Sequence, residues 1–303
     1  MKQLLVLSGK GGTGKTTVAA SLIELLDAKA FADCDVDAPN LHLVVSVDGP
    51  HQLRPHFGLP KSQINPELCR SCDRCLPECR FEAITVVEDV YTIDPFACEG
   101  CGLCEELCPA GAISSVPTQT GTLALATDGR RVFSTAVLAM GQGNSGQLVW
   151  SVKKRLSEAI AESPPPLAII DGSPGIGCPV MSSLSGIDLL LVVAEPSVAG
   201  LSDLKRLLDV AIGMEVPVAA CVNKADVNPE QTEAVQRLCD SWGIPLIAKI
   251  PFDPAVPAAI NAGRTLAEDP GPAGLAIRKI GAEIAQLLEL RPMEASESSG
   301  QHG

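Results

Sequence analysis

Apolar residues in this chain fall in short unbroken runs separated by longer amphipathic stretches. Gln3–Ser8, Leu167–Asp171 and Asp188–Ala194 are almost wholly apolar. Such runs are too short for helices and show no alternation, so they predict strands buried on both faces. Val216–Asn223 and Ile244–Ile250, each bounded by Pro, Gly or Asn, predict two more. Helical patterns lie between these runs, over about Lys15–Asp27, Gln147–Glu162, Gly200–Gly213, Asn228–Trp242 and Gly271–Leu290. Strands alternating with helices predict an α/β fold, a doubly wound and mostly parallel sheet with helices on both faces. No run of about 18 apolar residues occurs, so no transmembrane helix is expected.

The alternation stops between Lys61 and Pro117. Only Thr85–Val87 and Tyr91–Ile93 predict short strands there, joined by a turn. The segment carries a cysteine cluster at each end in a twofold repeat. It reads as a small α+β domain, residues 61–116, inserted into a loop of a larger domain built from residues 1–60 and 117–290. Loop-closure entropy grows slowly with length, so such an insertion costs little. Pro164–Pro166 predicts a rigid link before the next strand. The polar tail, residues 291–303, is expected to be disordered.

Composition narrows the function classes. The 303 residues carry 23 Lys+Arg against 36 Asp+Glu, a formal charge of −13. That acidity argues against sequence-independent nucleic-acid binding, which needs a basic face. The opening residues MKQLLVLSGKGG flow from an apolar run straight into a glycine loop, which reads as a first strand and not a secretion signal. Twelve cysteines in that context point to a reducing, cytoplasmic setting and to metal or redox use.

Residues Gly9–Thr16 read GKGGTGKT and satisfy G-x-x-x-x-G-K-[ST] between a predicted strand and a predicted helix. Gly9, Gly11, Gly12, Thr13, Gly14 and Thr17 frame a loop whose backbone N–H groups cradle phosphate, helped by the helix N-terminus. Lys15 is expected on the β- and γ-phosphates and Thr16 on Mg²⁺. With the second lysine, Lys10, the string SGKGGTGKTT resembles the deviant Walker A motif of the MinD/ParA/nitrogenase-iron-protein group of P-loop ATPases. The resemblance implies a homodimer formed on ATP binding, with Lys10 reaching the partner's nucleotide. Asp33-Cys34-Asp35-Val36-Asp37 resembles that group's acidic motif, which implies Asp35 as the catalytic carboxylate and Asp33 on the metal side. Ala168–Asp171 followed by Gly172-Ser173-Pro174-Gly175 looks like its Walker B strand and γ-phosphate-sensing loop. Asp171 is then a Mg²⁺ neighbour and Gly175 the sensor, with Ser173 standing where the family usually has proline. Asn223-Lys224-Ala225-Asp226 resembles the N-K-x-D base motif of GTPases, so GTP stays open. The family likeness favours ATP, with Asn223 and the Pro251-Phe252-Asp253 loop at the base.

Cys69, Cys72, Cys75 and Cys79 form C-x2-C-x2-C-x3-C, and Cys98, Cys101, Cys104 and Cys108 repeat it before Pro109. This resembles the bacterial two-cluster ferredoxin pattern, in which the fourth cysteine of each run serves the other cluster. The resemblance implies one [4Fe–4S] cluster on Cys69, Cys72, Cys75 and Cys108, and a second on Cys79, Cys98, Cys101 and Cys104. Arg80 replaces the usual proline after the first run. Zinc is the alternative, since thiolates suit it too. The clusters could carry electrons or staple a segment too small for its own core. Of the other cysteines, Cys34, Cys221 and Cys239 read as packed thiols. Cys178, three residues after Gly175, reads as either a buried thiol or a functional one. His42, His51, His56 and His302 show no ligand spacing. Gly141–Gly146 is a second glycine-rich stretch, suited to a phosphate, a partner or a plain turn. Arg278 and Lys279 sit on the apolar last helix, which reads as a core element and not a membrane anchor.

The pattern as a whole resembles a MinD-superfamily ATPase containing an inserted ferredoxin, over roughly residues 1–290. It implies ATP, Mg²⁺ and two [4Fe–4S] clusters. The first expectation is an ATP-gated dimeric switch that passes electrons to a redox partner. The alternatives are an ATP-dependent assembly factor with a metalloprotein client, and a positioning ATPase that leaves the ferredoxin unused.

Overall fold

The computed structural model describes residues 1–143 and 145–290. The tail, His302 and Asn144 lie outside the described residues. In chain order the larger body opens with β1 (Lys2–Leu7), α1 (Lys15–Leu25), β2 (Ala30–Asp33) and β3 (Gln52–Phe57). The cysteine-rich segment follows with β4 (Lys61–Ile64), β5 (Ile84–Val87), β6 (Val90–Ile93), α2 (Leu103–Leu107) and β7 (Ile113–Val116). The chain returns through β8 (Gln119–Thr127), β9 (Val132–Leu138), α3 (Ser145–Ala159), β10 (Leu167–Asp171), α4 (Cys178–Leu184), β11 (Leu189–Ala194) and α5 (Val198–Gly213). It ends with β12 (Val218–Asn223), α6 (Pro229–Ser241), β13 (Leu246–Ile250), α7 (Val256–Asn261) and α8 (Pro272–Leu287).

Nine strands form one sheet in the order β13-β12-β11-β1-β10-β2-β9-β8-β3. The first seven are parallel; β8 and β3 are antiparallel additions at one edge. The doubly wound parallel sheet expected from the pattern is present. Side chains alternate across a strand, and β1 shows the result: Leu5 and Leu7 enter the core under α3 to α6, while Leu4 and Val6 enter the core under α1 and α8. Both faces are covered, which is why β1, β10 and β11 are apolar without alternation.

The pattern did not predict β2, β3, β4, β7, β8 or β9, nor the short helices α2, α4 and α7. In the cysteine-rich segment, β4 pairs antiparallel with β7, and β5 with β6. The β4–β7 pair therefore closes the segment at its root, bringing Lys61 opposite Val116.

Candidate functional site

The carboxyl ends of β1, β2, β10, β11 and β12 converge, as ligand-binding ends do in open α/β sheets. The loop from Gly9 to Gly14 leaves β1 there. Gly14 caps α1 in the left-handed region at φ 92°, and a Cβ on it would stand 2.3 Å from Asn223 Nδ2. Glycine is required at that position on both counts.

Lys15 is buried, and its Nζ lies 2.5 Å from Asp171 Oδ1 at the end of β10. Thr16 Oγ1 donates to Asp171 Oδ2 at 2.7 Å. Asp33 ends β2 directly beside Asp171 in the parallel register, and both are fully buried. Burial, together with the neighbouring Asp171 charge, pushes Asp33 up to about 7. Its carboxylate accepts N–H groups of Asp35 at 3.0 Å and of Asn40 and Leu41 at 2.9 Å, so one side chain shapes the whole acidic loop. Burial also raises Asp35, while Lys15 opposes that shift. Two buried carboxylates beside a threonine hydroxyl form a hard-oxygen set that suits Mg²⁺.

Gly175, at φ 98°, donates its N–H to Ser8 O at 3.0 Å. Ser173 is buried and donates to Cys34 O at 2.6 Å, tying this loop to the acidic loop. A proline could not make that bond. Lys10 pairs with Glu195 at 2.6 Å within the same chain. Its Nζ also reaches Ser197 Oγ at 3.5 Å.

Beside the loop opens a cavity whose walls include Gly14, Thr17, Asn223, Pro251, Phe252 and Ile277. Asn223 Nδ2 donates to Thr13 O at 2.7 Å and so couples this wall to the phosphate loop. Asp226 does not line the cavity. Its Oδ1 accepts the Phe252 N–H at 2.6 Å and holds the 251–253 loop.

The cysteine-rich segment contains two further cavities. One is lined by Cys69, Cys72, Cys75 and Cys108 among others. The other is lined by Cys79, Cys98, Cys101 and Cys104, with Cys75 on the shared wall. Backbone amides reach the sulfurs: Gly100 N–H to Cys98 Sγ at 3.4 Å and Ala112 N–H to Cys108 Sγ at 3.3 Å. Burial alone would raise the Cys108 thiol, but the amides of Ala112, Ala110, Ile113 and Gly111 outweigh it and hold the thiol below its ordinary value. Among the described residues no three His, Cys, Asp or Glu side chains converge for one metal ion. Thiols ringing a cavity suit a cuboidal cluster better than a single zinc.

The remaining cysteines separate cleanly. Cys34, Cys221 and Cys239 are buried in the two cores. Burial drives Cys34 far up, Cys221 up to about 12 and Cys239 up to about 11. Cys178 is exposed at the start of α4 and lines neither cysteine cavity. The buried reading of Cys178 is therefore overturned: in the first turn of α4, Val180 enters the core and Cys178 stays on the exposed side. Four partners escaped the sequence: Glu195, Ser173, Lys153 and Lys61. Lys61 is buried and donates to Cys98 O. Lys153 donates to Ser183 O and Ser185 O, both at 2.6 Å. Among the described residues no helix is long and apolar enough to cross a membrane. Arg278 on α8 donates to Ala267 O and Asp269 O.

Comparison with known proteins places this geometry. The family profile of the CobQ/CobB/MinD/ParA nucleotide-binding domain matches residues 4–266. The chain is 30% identical to the uncharacterized protein MJ0578 of Methanocaldococcus jannaschii over 262 residues, covering 85% of this chain and 87% of that protein. A 47-residue stretch, 14% of the chain, is 43% identical to an uncharacterized ferredoxin-like protein of Haemophilus influenzae and covers 55% of it. The fold is similar to that of septum site-determining MinD complexed with Mg-ADP from Pyrococcus horikoshii, with a TM-score of 0.57 and 20% identity over 94% of this chain and 96% of that one.

Proposed function

Because the chain belongs to the CobQ/CobB/MinD/ParA nucleotide-binding family, we propose that it is an ATP-hydrolysing dimeric switch that couples nucleotide binding to electron transfer toward a partner protein. One observation carries the reading. The same chain holds a phosphate-loop site and two cysteine-lined cavities that share Cys75 and together gather all eight cysteines of the two runs.

In this reading the backbone of Gly9–Thr17 cradles the phosphates, and Lys15 stabilises the charge that builds on the γ-phosphoryl group. Thr16, Asp171 and Asp33 would hold Mg²⁺, which would supply further charge neutralisation. Asp35 orients the attacking water; its raised proton affinity places it nearer the range in which a carboxylate serves as a general base. Lys10 would leave Glu195 to act on a second copy's nucleotide. Gly175 would exchange its Ser8 partner for the γ-phosphate. Asn223, Pro251 and Phe252, which line the cavity, would hold the base. ATP is favoured over GTP because Asp226, the carboxylate that would read guanine, does not line the cavity and instead holds the 251–253 loop.

Cys69, Cys72, Cys75 and Cys108 would hold one [4Fe–4S] cluster and Cys79, Cys98, Cys101 and Cys104 the other. These groups would supply one-electron storage. The chain's own part is to fix the thiols and to direct N–H groups at Cys98 and Cys108, which tunes such a centre.

The test is reduction of an acceptor protein by the reduced holoprotein, with and without Mg-ATP. Reduction that accelerates with ATP supports the switch. A nucleotide-independent rate removes it, and iron lost to an apo-protein in an ATP-dependent way would establish the assembly reading instead.

A further inference from the structure

The two thiol-ringed cavities are not equally connected to the nucleotide site. The acidic loop after β2 is shaped by Asp33, and its Val36 carbonyl accepts the Leu138 N–H at 2.9 Å. Leu138 is the last residue of β9, the strand beside β2. The chain then turns at once. Ala139 N–H bonds Thr120 O at 2.9 Å and Gln142 N–H bonds Ala139 O at 3.1 Å. Gly141 in this turn has φ 72°, and a Cβ on it would stand 2.8 Å from Phe96 Cδ1. The Phe96 ring thus rests on bare backbone.

Phe96 is bound into the approach to the second cavity. Its N–H bonds Asp94 Oδ1 at 2.8 Å, and Cys98 N–H bonds Asp94 O at 2.9 Å. Behind Cys98, Lys61 donates to its carbonyl, and a Cβ on Gly100 would meet Pro60 O at 2.3 Å. Both cavities are lined within the inserted segment, but two residues of the second cavity, Glu99 and Gly100, approach the backbone outside it: a Cβ on Gly143 would stand 3.6 Å from Glu99 Oε2, and Gly100 lies against Pro60. From Asp35 to Cys98 the connection is therefore one hydrogen bond between the acidic loop and the end of β9, one tight turn and one aromatic ring.

Resting on the reading above, we propose that the Val36–Leu138 hydrogen bond and the Gly141–Phe96 contact transmit the state of the nucleotide site to the cavity of Cys79, Cys98, Cys101 and Cys104. The second cluster, and not the first, is the nucleotide-sensitive one. Phe96 acts as a positioning residue. The element with two arrangements is the acidic loop, because the carboxylate that shapes it stands beside Lys15 and Asp171, where phosphate and metal would bind. The competing reading is that Phe96 merely packs the inserted segment onto the body.

The experiment uses the dithionite-reduced holoprotein, with and without Mg-ATP, as wild type, Phe96→Ala, Phe96→Leu and Gly141→Ala. Each variant is first checked for ATPase rate and for eight iron atoms per chain. Phe96 is 65% exposed, so its truncation leaves the cores intact. The readouts are the electron paramagnetic resonance signal of each cluster, assigned with Cys101→Ser, and amide exchange at residues 94–100 and 138–142. Nucleotide is expected to shift the second cluster's signal in wild type. Phe96→Ala and Gly141→Ala lose the shift, and Phe96→Leu keeps it in part. Exchange at residues 138–142 responds in both wild type and Phe96→Ala, whereas residues 94–100 respond in wild type alone. A shift that survives Phe96→Ala, or that falls on the first cluster, overturns the route. Absence of any shift in wild type overturns the nucleotide-coupled reading itself, a separate and recognisable result.

Discussion

Asp35 stands at the meeting of two influences. Burial raises its proton affinity, and the Lys15 charge lowers it. Asp35→Asn keeps the shape and removes the base, so phosphate release should fall about 10²- to 10⁴-fold while nucleotide still binds. A fall below tenfold in a single-turnover assay would take Asp35 out of the reaction. Lys153 makes a pH prediction. Burial pulls its ammonium down from 10.5 to about 8, although it donates hydrogen bonds to the Ser183 and Ser185 carbonyls. Between those values the unfolded chain binds a proton that the folded chain has released, so stability rises with pH from about 8 toward 10.5. Lys153→Met should flatten that rise in denaturant midpoints measured across the interval. The phosphate-loop pattern and the two cysteine runs stand out in the sequence as spacings, and the fold sets Asp33 beside Asp171 and groups the cysteines around two cavities. Glu195, Ser173 and Lys61 were not legible. Glu195 meets Lys10 across most of the chain's length, and only the fold brings them together.

At the scale of elements, periodicity found what was long or uniformly buried. It missed the β8–β9 hairpin, although Asp128-Gly129 between two β-rich runs is a strong hairpin signal. Gly129 indeed turns at φ 82°, and Asp128 accepts the N–H groups of Arg130 and Arg131. The strands themselves were obscured by Thr, Gly and Ala, which dilute the apolar signal. The short helices α4 and α7 span two turns or fewer, too little for a 3.6-residue period to show. The last helix was read correctly as a core element. Its Ile277, Ile280 and Ile284 are fully buried, and a Cβ on Gly281 would stand 2.2 Å from Leu25 Cδ2, so α8 lies close on α1. Ile280→Ala should cost about 2–5 kcal/mol of stability, read as a lowered denaturant midpoint at unchanged slope. A cost under 1 kcal/mol would show that this contact relaxes easily.

For the whole molecule, charge is unevenly spread. Residues 61–116 carry ten acidic side chains against four basic ones. Clusters held by four thiolates each would add to that negative charge. A redox partner for this segment should therefore present a basic face, and its association rate should fall steeply as ionic strength rises from about 0.01 M toward 0.15 M, where the Debye length contracts from about 30 to 8 Å. A salt-insensitive rate in stopped-flow mixing would place the contact elsewhere. The insertion was visible in the sequence as a break in rhythm. Its seating was not, because Phe96 on Gly141 and Gly100 on Pro60 are close approaches of backbone that leave no mark in composition.

The Lys15–Asp171 pair has a consequence for what this protein will accept. The two charges neutralise each other out of reach of solvent. Nucleotide arriving alone would claim the lysine and strand the aspartate; a cation alone would do the reverse. Either leaves an uncompensated buried charge, a penalty of several kcal/mol. Only the two together exchange one neutral arrangement for another. On the proposed reading the site would act as a coincidence detector, and ATP affinity in calorimetry should drop by at least an order of magnitude when Mg²⁺ is chelated.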